Sequence, residues 1–228
     1  MTVIDELRQA VVDGQLKPAV AKVEQGLAEG MEAGRLLTEG LIAAMAQVGQ
    51  LYEEGEIFVP EMLVAARAMT AALGVLKPHL LEEGVEAAGT VAIGTVQGDL
   101  HDIGKNLVAM MLEGSGFEIM DLGVDVPAER FVQAIREGAN VVAMSALLTT
   151  TMTYMKTVID GFEAAGLGRI KMAIGGAPIS QMSADEIGAD GYGANASAAV
   201  DLFLRLANKS DQNGDLQDPI LAGNTFSD

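Results

Sequence analysis

The chain has 228 residues, half of them apolar, and carries 14 Lys and Arg against 32 Asp and Glu, a net charge of −18. That length and apolar content suit one or two packed domains, and the charge leaves no basic footprint for nucleic acid or an anionic membrane. There is no cysteine and there are two histidines, His79 and His101, which excludes disulfides, iron–sulfur clusters, thiolate nucleophiles and any three-histidine metal cage.

The opening, MTVIDELRQAVVDGQ, is acidic and amphipathic, unlike a signal peptide. No apolar run is long enough to suggest a membrane span, so a cytoplasmic protein is expected. Val3, Leu7, Ala10 and Val11 recur at helical spacing, and Asp13-Gly14 ends that run. Leu16 to Ala28 follows, with Pro18 in its first turn, closed by Glu29-Gly30. A third segment, from about Leu36 to Tyr52, carries one stripe of Leu37, Leu41, Met45, Val48 and Leu51 and stops at Glu54-Gly55. The fourth runs from Pro60 to about Glu83, and Pro78 is expected to end or bend it. Four amphipathic segments with short connections predict an N-terminal four-helix bundle, residues 1–87.

After residue 88 the period changes. Expected strands are Thr90–Val96, Glu118–Leu122, Val141–Ser145, Ile170–Ile174 and Gly191–Tyr192. Expected helices are Gly104–Glu113, Ala128–Glu137, Thr153–Ala165, Ser180–Ile187 and Ala196–Ala207. Such alternation predicts an α/β domain, residues 88–208, built on a five-stranded parallel sheet of flavodoxin or Rossmann type. Residues 209–228, polar and rich in Gly and Asp, read as a flexible tail.

A ligand of such a sheet sits beyond the carboxyl ends of the strands, where strand order switches. The first strand leads into Gly98-Asp99-Leu100-His101-Asp102-Ile103-Gly104-Lys105. A carboxylate two residues from a histidine can accept a hydrogen bond from one imidazole nitrogen and leave the other as a lone-pair donor. No cysteine or neighbouring histidine completes a metal cage there, so a metal on His101 must bring most of its own ligands. The third strand leads into Ser145, Leu147, Thr149, Thr150 and Thr151, and the fourth into Gly175-Gly176. Asp102, Thr150 and His79 read as structural, Glu53-Glu54 and Glu82-Glu83 as solvated helix ends, and Lys105 as a surface charge.

Asp99-x-His101-x-x-Gly104, Ser145-x-Leu147 and Gly175-Gly176 in that order resemble the cobalamin-binding fingerprint. The chain over about residues 1–208 is similar to the corrinoid proteins of methyltransferase systems in methanogens and acetogens, and to the cobalamin-binding module of methionine synthase. Residues 49–55 and 58–62 resemble the helical cap of that family. The resemblance implies a cobalamin or related corrinoid, cycling between Co(I) and methyl-Co(III). His101 is then the lower axial ligand, base-off and His-on, with Asp99 and Thr151 as its relay. Gly98, Leu100, Ile103, Gly104, Ser145, Leu147, Thr149, Gly175, Gly176, Gly193 and Ala194 are the expected cofactor contacts from the α/β domain. Tyr52, Val59 and Met62 are those from the cap, where methionine synthase has Phe and Leu in place of Tyr52 and Val59.

The implied function is a non-catalytic methyl carrier. It accepts a methyl group through a substrate-specific methyltransferase and passes it, through an acceptor methyltransferase, to coenzyme M or tetrahydrofolate, with a reductive activator as a further partner. The methyl donor is not legible. A cobalamin sensor is the alternative; a mutase subunit and a flavodoxin-like protein without a corrin are weaker ones. No nucleic acid or membrane partner is expected.

Overall fold

In the computed structural model, residues 1–85, 87–168 and 170–211 are described. Helix α1 (Val3–Val12) starts on a reciprocal cap: Thr2 Oγ1 accepts from the Asp5 amide at 3.2 Å, and the Asp5 carboxylate accepts from the Thr2 amide at 2.9 Å. It buries Leu7 and Val11 against α2 (Leu16–Ala28). The expected third helix is one run: α3 (Ala33–Arg35), a π-helical stretch Leu36–Ile42, and α4 (Ala43–Glu53). Helix α5 (Val59–Glu82) completes the bundle. Its start is fixed by Glu61, whose carboxylate accepts from the Phe58 amide at 3.1 Å.

Helix α5 closes at Glu82, next to the expected Glu83. Pro78 does not end it; the helix runs one turn further, with the Glu83 amide donating to the His79 carbonyl and Leu80 buried in the core. And α5 is apolar and long enough to cross a membrane by length and composition. Its Met62, Ala65, Met69, Ala72 and Leu76 are instead buried in the bundle core.

The second half forms β1 (Thr90–Val96), α6 (Ile103–Glu113), β2 (Glu118–Val126), α7 (Ala128–Arg136) and β3 (Val141–Ser145). The turn α8 (Thr149–Met152), α9 (Tyr154–Ala164), β4 (Lys171–Gly175), α10 (Gln181–Ile187), β5 (Gly191–Gly193) and α11 (Ala196–Asp211) follow. All pairings are parallel, in the order β2-β1-β3-β4-β5. Strand order therefore reverses between β1 and β3, which puts the crevice at their carboxyl ends. Central strand β3 is apolar at Val141, Val142, Ala143 and Met144 because both its faces are covered.

Helix α11 reaches Asp211, past the expected end at Ala207; the rest of the expected tail lies outside the described residues. Strand β2 runs past the expected end at Leu122 because it continues through a bulge. Gly94 pairs with Gly123 and Val96 with Val126, so two residues of β2 face one of β1.

The bundle closes on the α/β half where side chains are missing. A Cβ at Gly49 of α4 would stand 2.7 Å from Ser197 Oγ of α11, and one at Gly114 would stand 3.0 Å from Met45 Cγ. Thr70 of α5 also donates to the Glu113 carboxylate of α6 at 3.2 Å. These contacts bring the end of α4, with Tyr52, over the carboxyl edge of the sheet.

Candidate functional site at the strand switch point

Asp99 is fully buried at the end of β1. Its Oδ1 accepts from His101 Nδ1 at 2.7 Å and from the His101 amide at 3.1 Å. Its Oδ2 accepts from Thr151 Oγ1 at 2.6 Å and from the Leu147 amide at 2.8 Å, with the Leu148 amide at 3.4 Å. Burial pushes this carboxyl up, but the bonds from Thr151, Leu147 and His101 together outweigh it and hold Asp99 well below the usual carboxylate range. Asp99 is thus an ionised acceptor that ties the loop after β1 to the loop after β3.

An ionised carboxylate cannot donate, so the proton of the His101–Asp99 pair sits on Nδ1. That fixes the tautomer and leaves the lone pair on Nε2. Nε2 makes no hydrogen bond among the described residues, and the side chain is about half exposed, at 52%. Thr151 Oγ1 also lies 3.0 Å from the Leu148 carbonyl. Its single proton goes to the closer, charged Asp99. Thr95 holds the loop from beneath, donating to the His101 carbonyl at 2.8 Å.

Aliphatic side chains flank the histidine. Leu100 and Ile103 are 71% and 81% exposed, and Leu147 and Leu148 are also exposed. Four such residues beside a lone-pair nitrogen form an apolar seat with a polar centre. A cavity of about 380 Å³ opens at Gly104, three residues on from His101, and is lined by Ser145, Gly175, Gly176, Gly193, Ala194 and Tyr52 among others. A Cβ at Gly104 would meet nothing within 4 Å, so the cavity has room there. Gly176 serves the backbone: at φ 133° its Cβ would lie 1.8 Å from the Ala146 carbonyl oxygen. A larger cleft of about 790 Å³ lies at the opposite end of the sheet, at Thr90 and Glu118, and no expected site residue lines it.

The structure thus gathers His101, Asp99, Thr151, Leu100, Ile103 and Leu147 into one cluster and the cavity residues into another. Gly98 adopts φ 85° in the turn before Asp99, and Thr149 is exposed at the start of α8. Of the cap residues, Tyr52 lines the cavity, Val59 is half-buried, and Met62 has no exposed surface and belongs to the bundle core. Lys105 is not the surface charge expected. It is 3% exposed, and its Nζ donates to Asp121 Oδ1 at 2.6 Å and to Asn106 Oδ1 at 2.7 Å. Sequence reading passed over Thr95, Asp121 and Asp125, whose partners lie on other elements; Asp-x-Gly at 121–123 was the one local signal, since Asp121 Oδ1 accepts from the Gly123 amide at 2.9 Å.

Among the described residues no group of three or more His, Asp or Glu could hold a metal ion. A metal on His101 Nε2 must therefore carry its own equatorial ligands. A flat macrocycle with a tail fits: the aliphatic seat suits the ring edge, and the adjoining cavity suits a pendant group.

Comparison with known proteins gives two family matches, both described as B12 binding domains, over residues 3–77 and 89–201. A corrinoid protein of Desulfitobacterium hafniense is 38% identical over 214 residues, 92% of this chain and 99% of that protein. Dimethylamine corrinoid protein 2 of Methanosarcina acetivorans is 42% identical over 201 residues, 86% of this chain and 92% of that protein. Among solved structures, one chain of a methanol:cobalamin methyltransferase complex from Methanosarcina barkeri superposes with a TM-score of 0.79 at 30% identity, over 90% of this chain and 80% of that one. A cobalamin-binding protein of D. hafniense superposes with a TM-score of 0.75 at 31% identity, over 89% of this chain and 98% of that one.

Proposed function

The chain belongs to the corrinoid proteins built on B12-binding domains, and from that premise we propose that it is a methyl carrier serving two partner methyltransferases. The observation that carries the reading is the Asp99–His101 pair, which leaves one imidazole lone pair free in an apolar seat. When bound, the corrinoid supplies a cobalt centre whose reduced form takes up a methyl group and later yields it.

The residues of the chain do the rest. His101 Nε2, with its ring oriented by Asp99, would hold the cobalt. Asp99 stays ionised, so it holds a proton on His101 Nδ1 and does not store one itself. Thr151 and the Leu147 amide keep that carboxylate in place. Leu100, Ile103 and Leu147 cover the ring edge and exclude water. Ser145, Gly104, Gly175, Gly176, Gly193 and Ala194 take the nucleotide tail. Tyr52, which lines the cavity, and Val59 would shield the bound group from the bundle side, and Met62 belongs to the bundle core. A substrate-specific methyltransferase loads the carrier, an acceptor methyltransferase unloads it onto coenzyme M or tetrahydrofolate, and a reductive activator restores it.

The test is reconstitution with hydroxocobalamin, removal of free cofactor, and measurement of cobalt content and visible spectrum. Near-stoichiometric cobalt is expected, with nitrogen coupling in the EPR spectrum of the Co(II) form that His101→Ala abolishes. A chain that retains no corrinoid, or a His101→Ala variant with unchanged coupling, overturns the reading. Methyl uptake with a partner methyltransferase, followed by spectrum, then tests the carrier role.

A further inference from the structure

Asp125 is the one residue other than glycine with a positive φ, 53°, among the described residues. Aspartate tolerates that conformation better than most side chains, but it is still a disfavoured one. It sits in the β2 bulge, where the strand does not use it for pairing with β1. Bulges beside functional sites re-aim a residue away from the ladder. Here the re-aimed residue bonds twice to the ligand loop. The Gly98 amide donates to Asp125 Oδ1 at 2.7 Å, and the Asp125 amide donates to the Asp99 carbonyl at 2.9 Å.

The loop is therefore held from three directions. Asp99 ties it to β3 through Leu147 and Thr151, Thr95 holds the His101 carbonyl from β1, and Asp125 grips Gly98 and Asp99 from β2. The grip falls on the two residues that fix where the Asp99 carboxylate stands, and Gly98 is itself at φ 85°. We propose that Asp125 is a positioning residue for the axial ligand. It sets the Asp99 backbone, and through Asp99 the direction of the His101 ring. This rests on the corrinoid reading above.

Asp125→Asn keeps an oxygen acceptor. Asp125→Ala removes it, and Asp125→Gly removes it while relieving the backbone. All are loaded with hydroxocobalamin alongside the wild type and reduced to Co(II). Nitrogen coupling is read by EPR, with the melting temperature of each unloaded protein as a folding control. Asn should stay closer to the wild type than Ala or Gly, since it keeps the acceptor but not its charge. Ala and Gly should both raise the uncoupled fraction about tenfold, the size of one lost hydrogen bond to a charged acceptor. Wild-type coupling in Ala and Gly overturns the proposal. So does recovery in Gly of coupling lost in Ala, which would make backbone strain the cause, or loss in Asn equal to that in Ala. Should Ala fail to fold, Asn and Gly still decide. A wild-type chain that keeps no cobalt overturns the corrinoid reading and this proposal with it; a cobalt-loaded wild type with unchanged variants overturns this one alone.

Discussion

Thr151 Oγ1 lies 2.6 Å from Asp99 Oδ2, across the crevice between the ends of β1 and β3. The contact joins residues 52 positions apart, so it exists only because the sheet order places those two ends side by side. One buried carboxylate thereby serves as a staple between two loops and as the holder of an imidazole tautomer.

Asp99→Asn should weaken corrinoid retention about 10- to 100-fold, the range for outer-shell partners of a metal-bound histidine. An amide can turn its NH₂ toward Nδ1, which moves the imidazole proton to Nε2 and blocks the lone pair. Equilibrium dialysis against hydroxocobalamin measures it, and retention equal to the wild type would count against the assigned role.

The same variant should change the acid side of the stability profile. The Asp99 carboxyl lies lower in the folded chain than its ordinary value of 3.8, so the unfolded chain binds more protons in acid. Its stabilisation is complete above that ordinary value and is lost as pH falls through the lower, folded one. Melting curves between neutral pH and strong acid should show the wild type losing stability more steeply than Asp99→Asn below about pH 4. Parallel curves would refute the linkage.

Thr151→Val keeps the shape and removes the donor. Loss of a hydrogen bond to a buried charge costs about 1.5–3 kcal/mol, so urea unfolding should report a shift of that size. Thr151→Ser should recover most of it. A stable Val variant beside a destabilised Ser variant would mean that packing of the methyl, not the hydroxyl, carries the effect.

The Lys105–Asp121 pair should respond unequally to its two truncations. The Lys105 side chain is 2% exposed and that of Asp121 48%. Lys105→Met leaves a carboxylate that water can reach, at about 1 kcal/mol or less. Asp121→Ala leaves a buried ammonium with Asn106 as its remaining bonded partner, at about 3–5 kcal/mol. Urea midpoints in the opposite order would falsify this account of the pair.

Local pattern made much of the fold legible. Strands β1 and β3 begin and end where their β-branched, apolar runs do, because both are central and covered on two faces. The extension of β2 was hidden, since only pairing with β1 shows Gly123, Val124 and Asp125 as a bulge. The same limit applied at the site. Asp-x-His is local, so Asp99 and His101 could be read as a pair. The burial of Lys105 depends on Asp121 sixteen residues away, and the hold of Asp125 on Gly98 spans 27. Of the two outcomes expected at Pro78, an end does not occur: a missing amide weakens a helix, but burial of Leu80 carries α5 one turn further.

The two outer strands of the sheet bear on self-association. An open parallel sheet offers two unpaired edges on which a second chain could continue it. On one side β5 is only three residues long. On the other, β2 is broken by its bulge and carries Glu118, Asp121 and Asp125, all exposed acids. Backbone geometry spoils the template on that edge. A sheet blunted in both places can be present at high concentration without stacking edge to edge.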